Sequence, residues 1–261
     1  MRNYYYLGIS LPELEILSKP LIRFEELIEA FKINLSKNEM ASVEKIQIYY
    51  DLINLEKTLL GEPITHKGNM TSQEILEALK LRQGFPEFVF EFFDRYKVDS
   101  EQLEKFSELY SLYFHEYAGE NDPSAIILQY EKELRSFLLG YRAVRFKRSI
   151  EKEFSLENIE DRDIHLILSK EADTKVLNEE KLQKFLEKID PIQDPLEIRS
   201  SVASFRFEHY KEIQDFHPFT IQGLLAYMMQ LIILEELEVK SPEMGLEIFN
   251  NLLKDKNEYV N

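Results

Sequence analysis

The sequence predicts an all-α protein, a multi-helix bundle. Three observations carry that prediction. Apolar residues recur at helical spacing through most of the chain, and only the N-terminal Tyr4-Tyr5-Tyr6 run has the character of a strand. Glycine is scarce, 8 in 261 residues, against an ordinary share of about 7%, which excludes a fold made of many tight turns. Helix start and stop signals also fall where the apolar period begins and ends. A hydrophobic share of 44%, with 18 Phe and 14 Tyr, supplies the core.

The elements follow in order. A helix is expected over about residues 42–60, where Val43, Ile46, Tyr49, Tyr50, Ile53 and Leu60 fall mostly on one face. Gly61-Glu62-Pro63 and Gly68-Asn69 mark a turn. Thr71 with Glu74 three residues on forms a capping box that opens the next helix, and Gly84-Phe85-Pro86 stops it. Two helices follow, over about 87–96 and 100–117. Asp122-Pro123-Ser124 opens the longest expected helix, running to about residue 154. One stripe on it is Ile126, Tyr130, Leu134, Phe137, Tyr141 and Val144. A second, Leu139, Ala143, Phe146, Ile150 and Phe154, lies roughly 150° away, as expected of a strut between neighbours.

Short helical pieces come next, near 163–169 and 178–188. Asp190-Pro191-Ile192-Gln193-Asp194-Pro195 is the best linker, dividing a main region, 1–190, from a C-terminal helical region, 191–261, packed on it, with a single continuous domain as the alternative. That second region holds a helix over about 195–213, an apolar helix over about 219–238, and a last helix with Ser241 as cap and Pro242 at its first position. No internal repeat stands out.

Composition narrows the chemistry. There is no cysteine, hence no disulfide, thiolate nucleophile or Cys-ligated zinc. No two glycines lie within two residues of each other, so phosphate-binding glycine loops are absent, and no cofactor is expected. His66, His115, His165, His209 and His217 show no metal-ligand spacing, so no metal and no catalytic residue is assigned. With 48 acidic against 32 basic residues the net charge is −16, which argues against nucleic acid. Pro12 and Glu13 cut the aromatic start short of a signal peptide. The longest nearly apolar run, residues 223–234, falls short of the roughly 20 residues a membrane span needs. A cytoplasmic location follows, with any membrane attachment through another protein.

Two features rise above this background. Arg142, Arg145, Arg148 and Lys152 fall within about a third of the circumference of the long helix. They either pair with the chain's own surplus acids or dock an acidic partner. The helix from Phe219, with Tyr227 in its middle, is apolar all round and must be buried by its own fold or by a partner.

At that helix the chain resembles a known family. His217-Pro218-Phe219-Thr220-Ile221-Gln222-Gly223-Leu224-Leu225-Ala226-Tyr227, followed by an apolar stretch and Glu235-Glu236, is similar to the C-terminal signature of the C subunit of V/A-type ATPases, known as the d subunit in eukaryotes. Closer still is a bacterial family of uncharacterised proteins encoded alongside V/A-type ATPase subunits. Tyr4-Tyr5-Tyr6-Leu7 with Leu11-Pro12, Ile150-Glu151-Lys152-Glu153-Phe154 and Glu243-Met244-Gly245-Leu246-Glu247-Ile248-Phe249 are similar to it in order and spacing. The resemblance implies a fold related to the helical fold of that ATPase subunit. It implies a non-enzymatic adapter, whose partners are subunits of the central stalk or of the membrane rotor ring. A free-standing helical scaffold or regulator of another cytosolic protein is the alternative; an enzyme ranks third. The candidate partner-binding residues are Arg142, Arg145, Arg148, Lys152, Phe219 and Tyr227.

Overall fold

A computed structural model describes residues 4–16, 18–119, 122–149, 153–155 and 179–238. The secondary structure of the described residues is all helical, with no strand among them. The expected pieces near 163–169 and from Ser241, together with Lys152, lie outside them. The chain divides into two compact units, one made of Met1–Asn34 with Phe185–Asn261, the other of Leu35–Lys184. This differs from a division at the 190–195 linker, because the N-terminal residues pack with the C-terminal ones.

In the first unit, α1 (Tyr5–Ser10) stands where a strand was expected. Tyrosine is enriched in strands, and tertiary packing overrides that preference here, with Leu7 of α1 and the preceding residue Tyr4 buried. Next come α2 (Phe24–Asn34) and, from the far end of the chain, α10 (Pro195–Phe216) and α11 (Ile221–Glu238). Asp194 caps α10, with Pro195 at its first turn. Residues 217–220 join α10 to α11 as a helical hairpin. α11 is buried from Ile221 to Glu235 apart from Gln222, so burial by the fold itself covers this apolar helix.

The second unit opens with α3 (Lys37–Leu60), which starts earlier than periodicity suggests because Ser36 and Glu39 form a capping box. Leu60, assigned to its apolar face, is exposed at the helix end. Then follow α4 (Ser72–Leu81), with the expected Thr71–Glu74 box, α5 (Glu87–Arg95), α6 (Asp99–Lys105) and α7 (Ser107–Tyr117). The single helix expected over 100–117 is thus broken at Phe106, whose buried ring packs on Phe92 and Tyr110. The α3–α7 contact is aromatic, with the Tyr49 ring 5.5–5.6 Å from those of Tyr110, Tyr113 and Phe114.

α8 (Ala125–Arg145) ends well short of residue 154. Lys147 turns left-handed at φ 52°, Lys147 N–H bonds to Val144 O at 3.2 Å, and Arg148 N–H bonds to Ala143 O at 2.9 Å. That pair of bonds is a Schellman stop. Tyr130, Leu134 and Phe137 are buried as expected, whereas Val144 and Phe146 are exposed. The first stripe is thus exposed at its last position, Val144, while in the second Ala143 and Phe154 are buried and Phe146 is exposed. The unit boundary falls inside α9 (Glu179–Ile189).

Candidate functional site

The N-terminal motif from Tyr4 to Pro12 and the motif from His217 to Tyr227 meet in the first unit. Phe219 takes the left-handed conformation, φ 62°, which turns the chain between α10 and α11. Its carbonyl accepts the Tyr4 N–H at 2.8 Å, and its ring lies 5.0 Å from that of Tyr5. Gly8 leaves room for this ring, since a Cβ there would lie 2.6 Å from Phe219 Cδ1. Thr220 completes the turn by donating its hydroxyl to His217 O at 2.8 Å and accepting the Gly223 N–H at 3.3 Å, as an N-cap does. Gly223 is required, because a Cβ at this position would overlap the His217 carbonyl. Phe219, Thr220 and Gly223 thus each have a local steric or hydrogen-bonding reason.

Below the turn, a cleft of about 220 Å³ lies between the residues that follow α1 and the α10–α11 hairpin. Pro12 and Leu14 line one side, Lys211 and Asp215 of α10 another, and Tyr227 and Gln230 of α11 the floor. Tyr227 is 2% exposed and donates its hydroxyl to Pro12 O at 2.8 Å. Burial pushes its phenol well above the usual range, so it remains a neutral donor. Gln230, the polar interruption of the apolar run, donates to Gln214 Oε1 at 2.7 Å. Among the described residues no group of three or more His, Asp or Glu side chains is placed to hold a metal.

The acidic end of the motif is used internally. Glu235 is buried and accepts the Phe24 N–H at 2.9 Å, which caps α2 from outside its own chain segment. Glu238 takes Arg23 at 2.5 Å, and the Arg23 hydrogen bond holds its carboxyl below the usual range. In the sequence, Glu235-Glu236 reads as a signature only, since nothing in the local pattern signals a partner some two hundred residues away.

The basic residues do not form one helix face, because α8 stops at Arg145. Arg142 is exposed near the helix end and makes no ion pair among the described residues. Arg145 folds back on its own helix, donating to the Tyr141 hydroxyl at 2.7 Å with its guanidinium 5.8 Å from that ring. Arg148 lies beyond the helix, 3.3 Å from Glu153. Of the two roles weighed for this group, pairing with the chain's own acids is the one Arg148 takes.

The fold and the cleft define a helical protein whose sequence motifs serve packing. The chain belongs to the family described as protein of unknown function DUF2764, which matches residues 1–258. It is similar to an uncharacterized protein of Chlamydia muridarum (strain MoPn / Nigg), 24% identical over 273 residues, covering 97% of this chain and 98% of the relative. An uncharacterized protein of Chlamydia trachomatis serovar D is similar at the same identity and coverage. No solved structure matches the chain significantly.

Proposed function

We propose that the protein is a non-enzymatic adapter of a bacterial V/A-type ATPase, bound to subunits of the central stalk or membrane rotor ring and held at the membrane through them. The supporting observation is the junction of the two motifs that carry the resemblance to ATPase-associated proteins. Phe219 ties α1 to the hairpin, and the junction carries apolar side chains on its outside. Tyr6 and Phe216 are 84% and 85% exposed, and Ile9 is exposed one turn along from Tyr5. Exposed aromatic residues beside a well-packed element form a surface suited to a protein partner. Nothing in this role requires a reacting group.

Purification of the ATPase under mild detergent from cells carrying a tagged copy tests the proposal. Co-purification of stalk or ring subunits is expected, together with its loss in a Tyr6→Glu, Phe216→Glu variant of unchanged thermal stability. If no ATPase component accompanies the tagged protein, the proposal fails.

A further inference from the structure

We propose that the end of α8 is a docking site for an acidic segment of a partner protein, anchored by an apolar side chain. Three features coincide there. In a chain of net charge −16, four basic residues gather within seven positions: Arg142, Arg145, Lys147 and Arg148. Some cations elsewhere meet acids directly, as Arg23 does with Glu238, Arg82 with Asp94, Arg95 with Glu108 and Lys45 with Asp122. Single exposed lysines such as Lys80 make no ion pair among the described residues, but only here do four basic positions fall so close together along a described helix end. Arg142 and Lys147 are exposed and make no ion pair among the described residues.

The second feature is apolar. Val144 and Phe146 are each 61% exposed beside these charges. The Arg148 guanidinium lies 5.7 Å from the Phe146 ring centroid, which keeps that ring beside a cation. A helix C-terminus by itself favours basic residues through its dipole. It gives no reason for a large aromatic ring in water next to them.

The third is conformational. Lys147 occupies a left-handed position that favours glycine. The same stop at the end of α3 uses Gly61, at φ 71°, whereas α4 ends, as α8 does, on a left-handed basic residue, Arg82 at φ 53°. A lysine here holds a charge at a strained position where the fold alone is better served by glycine.

Together these features complement a segment whose carboxylates reach Arg142 and Lys147 while one apolar side chain covers Val144 and Phe146. A protein segment fits better than an anionic bilayer. A segment touches only this turn, whereas a flat membrane presents its charge to a wider area of a chain whose net charge is −16, with screening over a Debye length of about 8 Å. The inference does not depend on the ATPase proposal, since it specifies only the chemistry of the partner.

Fluorescence anisotropy with the full chain tests it. The probe is a labelled peptide of about twelve residues, rich in Glu, with one Phe and two Leu. A second peptide replaces the apolar residues by Ser, and vesicles with about 30% phosphatidylserine form the membrane arm. The first peptide is expected to bind, with affinity falling as salt rises. Arg142→Glu and Phe146→Ser should each weaken it about tenfold, while Lys80→Glu, the same charge change on exposed α4 residue Lys80, leaves it unchanged. Lys147→Gly should weaken binding about threefold yet raise the unfolding temperature. A role in helix capping alone would give the second effect without the first. Absence of peptide binding, equal binding of the Ser peptide, or variant-sensitive binding to vesicles instead of peptide overturns the proposal.

Discussion

Gly223 and Tyr227 show how tightly single residues hold the junction of α1 with the hairpin. A Cβ at Gly223 would strike a backbone carbonyl, which cannot rotate away as a side chain can. Gly223→Ala should therefore cost about 2 kcal/mol. Tyr227→Phe removes only the bond to Pro12 O and should cost about 1 kcal/mol. Urea unfolding of the two variants checks the order, and a larger loss for Tyr227→Phe would contradict it. Asp51 on α3 gives a pH dependence. It is buried, and its carboxylate accepts the Met70 N–H at 3.0 Å and the Asn69 side-chain amide at 2.8 Å, holding the loop after α3. Burial raises its carboxyl above the usual range, with the Asn69 and Met70 bonds opposing. The folded state thus keeps this proton where the unfolded chain has lost it. The contribution of Asp51 to stability falls as pH rises from the ordinary aspartate value through the raised one. Stability of Asp51→Asn relative to the unsubstituted chain should rise across that window. Parallel stability–pH curves would rule this out.

At the scale of elements, α2 is held on α11 by two glutamates of different worth. Glu235 is buried on a backbone donor, whereas Glu238 pairs with Arg23 at the surface. Glu235→Ala leaves the Phe24 N–H without its acceptor and should cost about 2 kcal/mol. Glu238→Ala should cost less than about 1 kcal/mol, because a partly exposed ion pair is screened. Chemical denaturation separates them, and the reverse order would refute the assignment. The lowered carboxyl of Glu238 stabilises the fold above its ordinary range, a contribution lost as pH falls through the folded value. Helix ends differ in how far their signals are local. Thr71 and Glu74 announce α4 because a capping box is local chemistry. Nothing announces the stop of α8, because Lys147 is neither glycine nor proline and the apolar period runs on past it.

For the whole molecule, the discontinuity of the first unit has a direct consequence. Residues 191–261 contain the apolar α11 but lack α1 and α2, and with them Tyr4, Pro12 and Phe24, which contribute to the hydrogen bonds and packing of the hairpin. Expressed alone, that fragment should aggregate, since a helix buried all round then meets water. Joining residues 1–34 to 185–261 by a short flexible linker should restore a soluble helical species in size exclusion and circular dichroism. A soluble, cooperatively unfolding 191–261 fragment would show that the unit does not need its N-terminal part.

Local pattern in the sequence determined the helical class, the capping box at Thr71, the proline start of α10 and the burial of the apolar helix from Ile221, because these depend on residues within a turn or two of each other. It also marked Phe219 and Tyr227 as residues to follow, without saying what they touch. Only the tertiary structure decided that α1 is a helix held by Phe219, that Glu235 caps α2, and that the basic residues from Arg142 to Arg148 straddle a helix end. The physical reason is sequence distance. Helical period and caps act between near neighbours, whereas a backbone N–H at Phe24 finds its acceptor across 211 residues by packing alone.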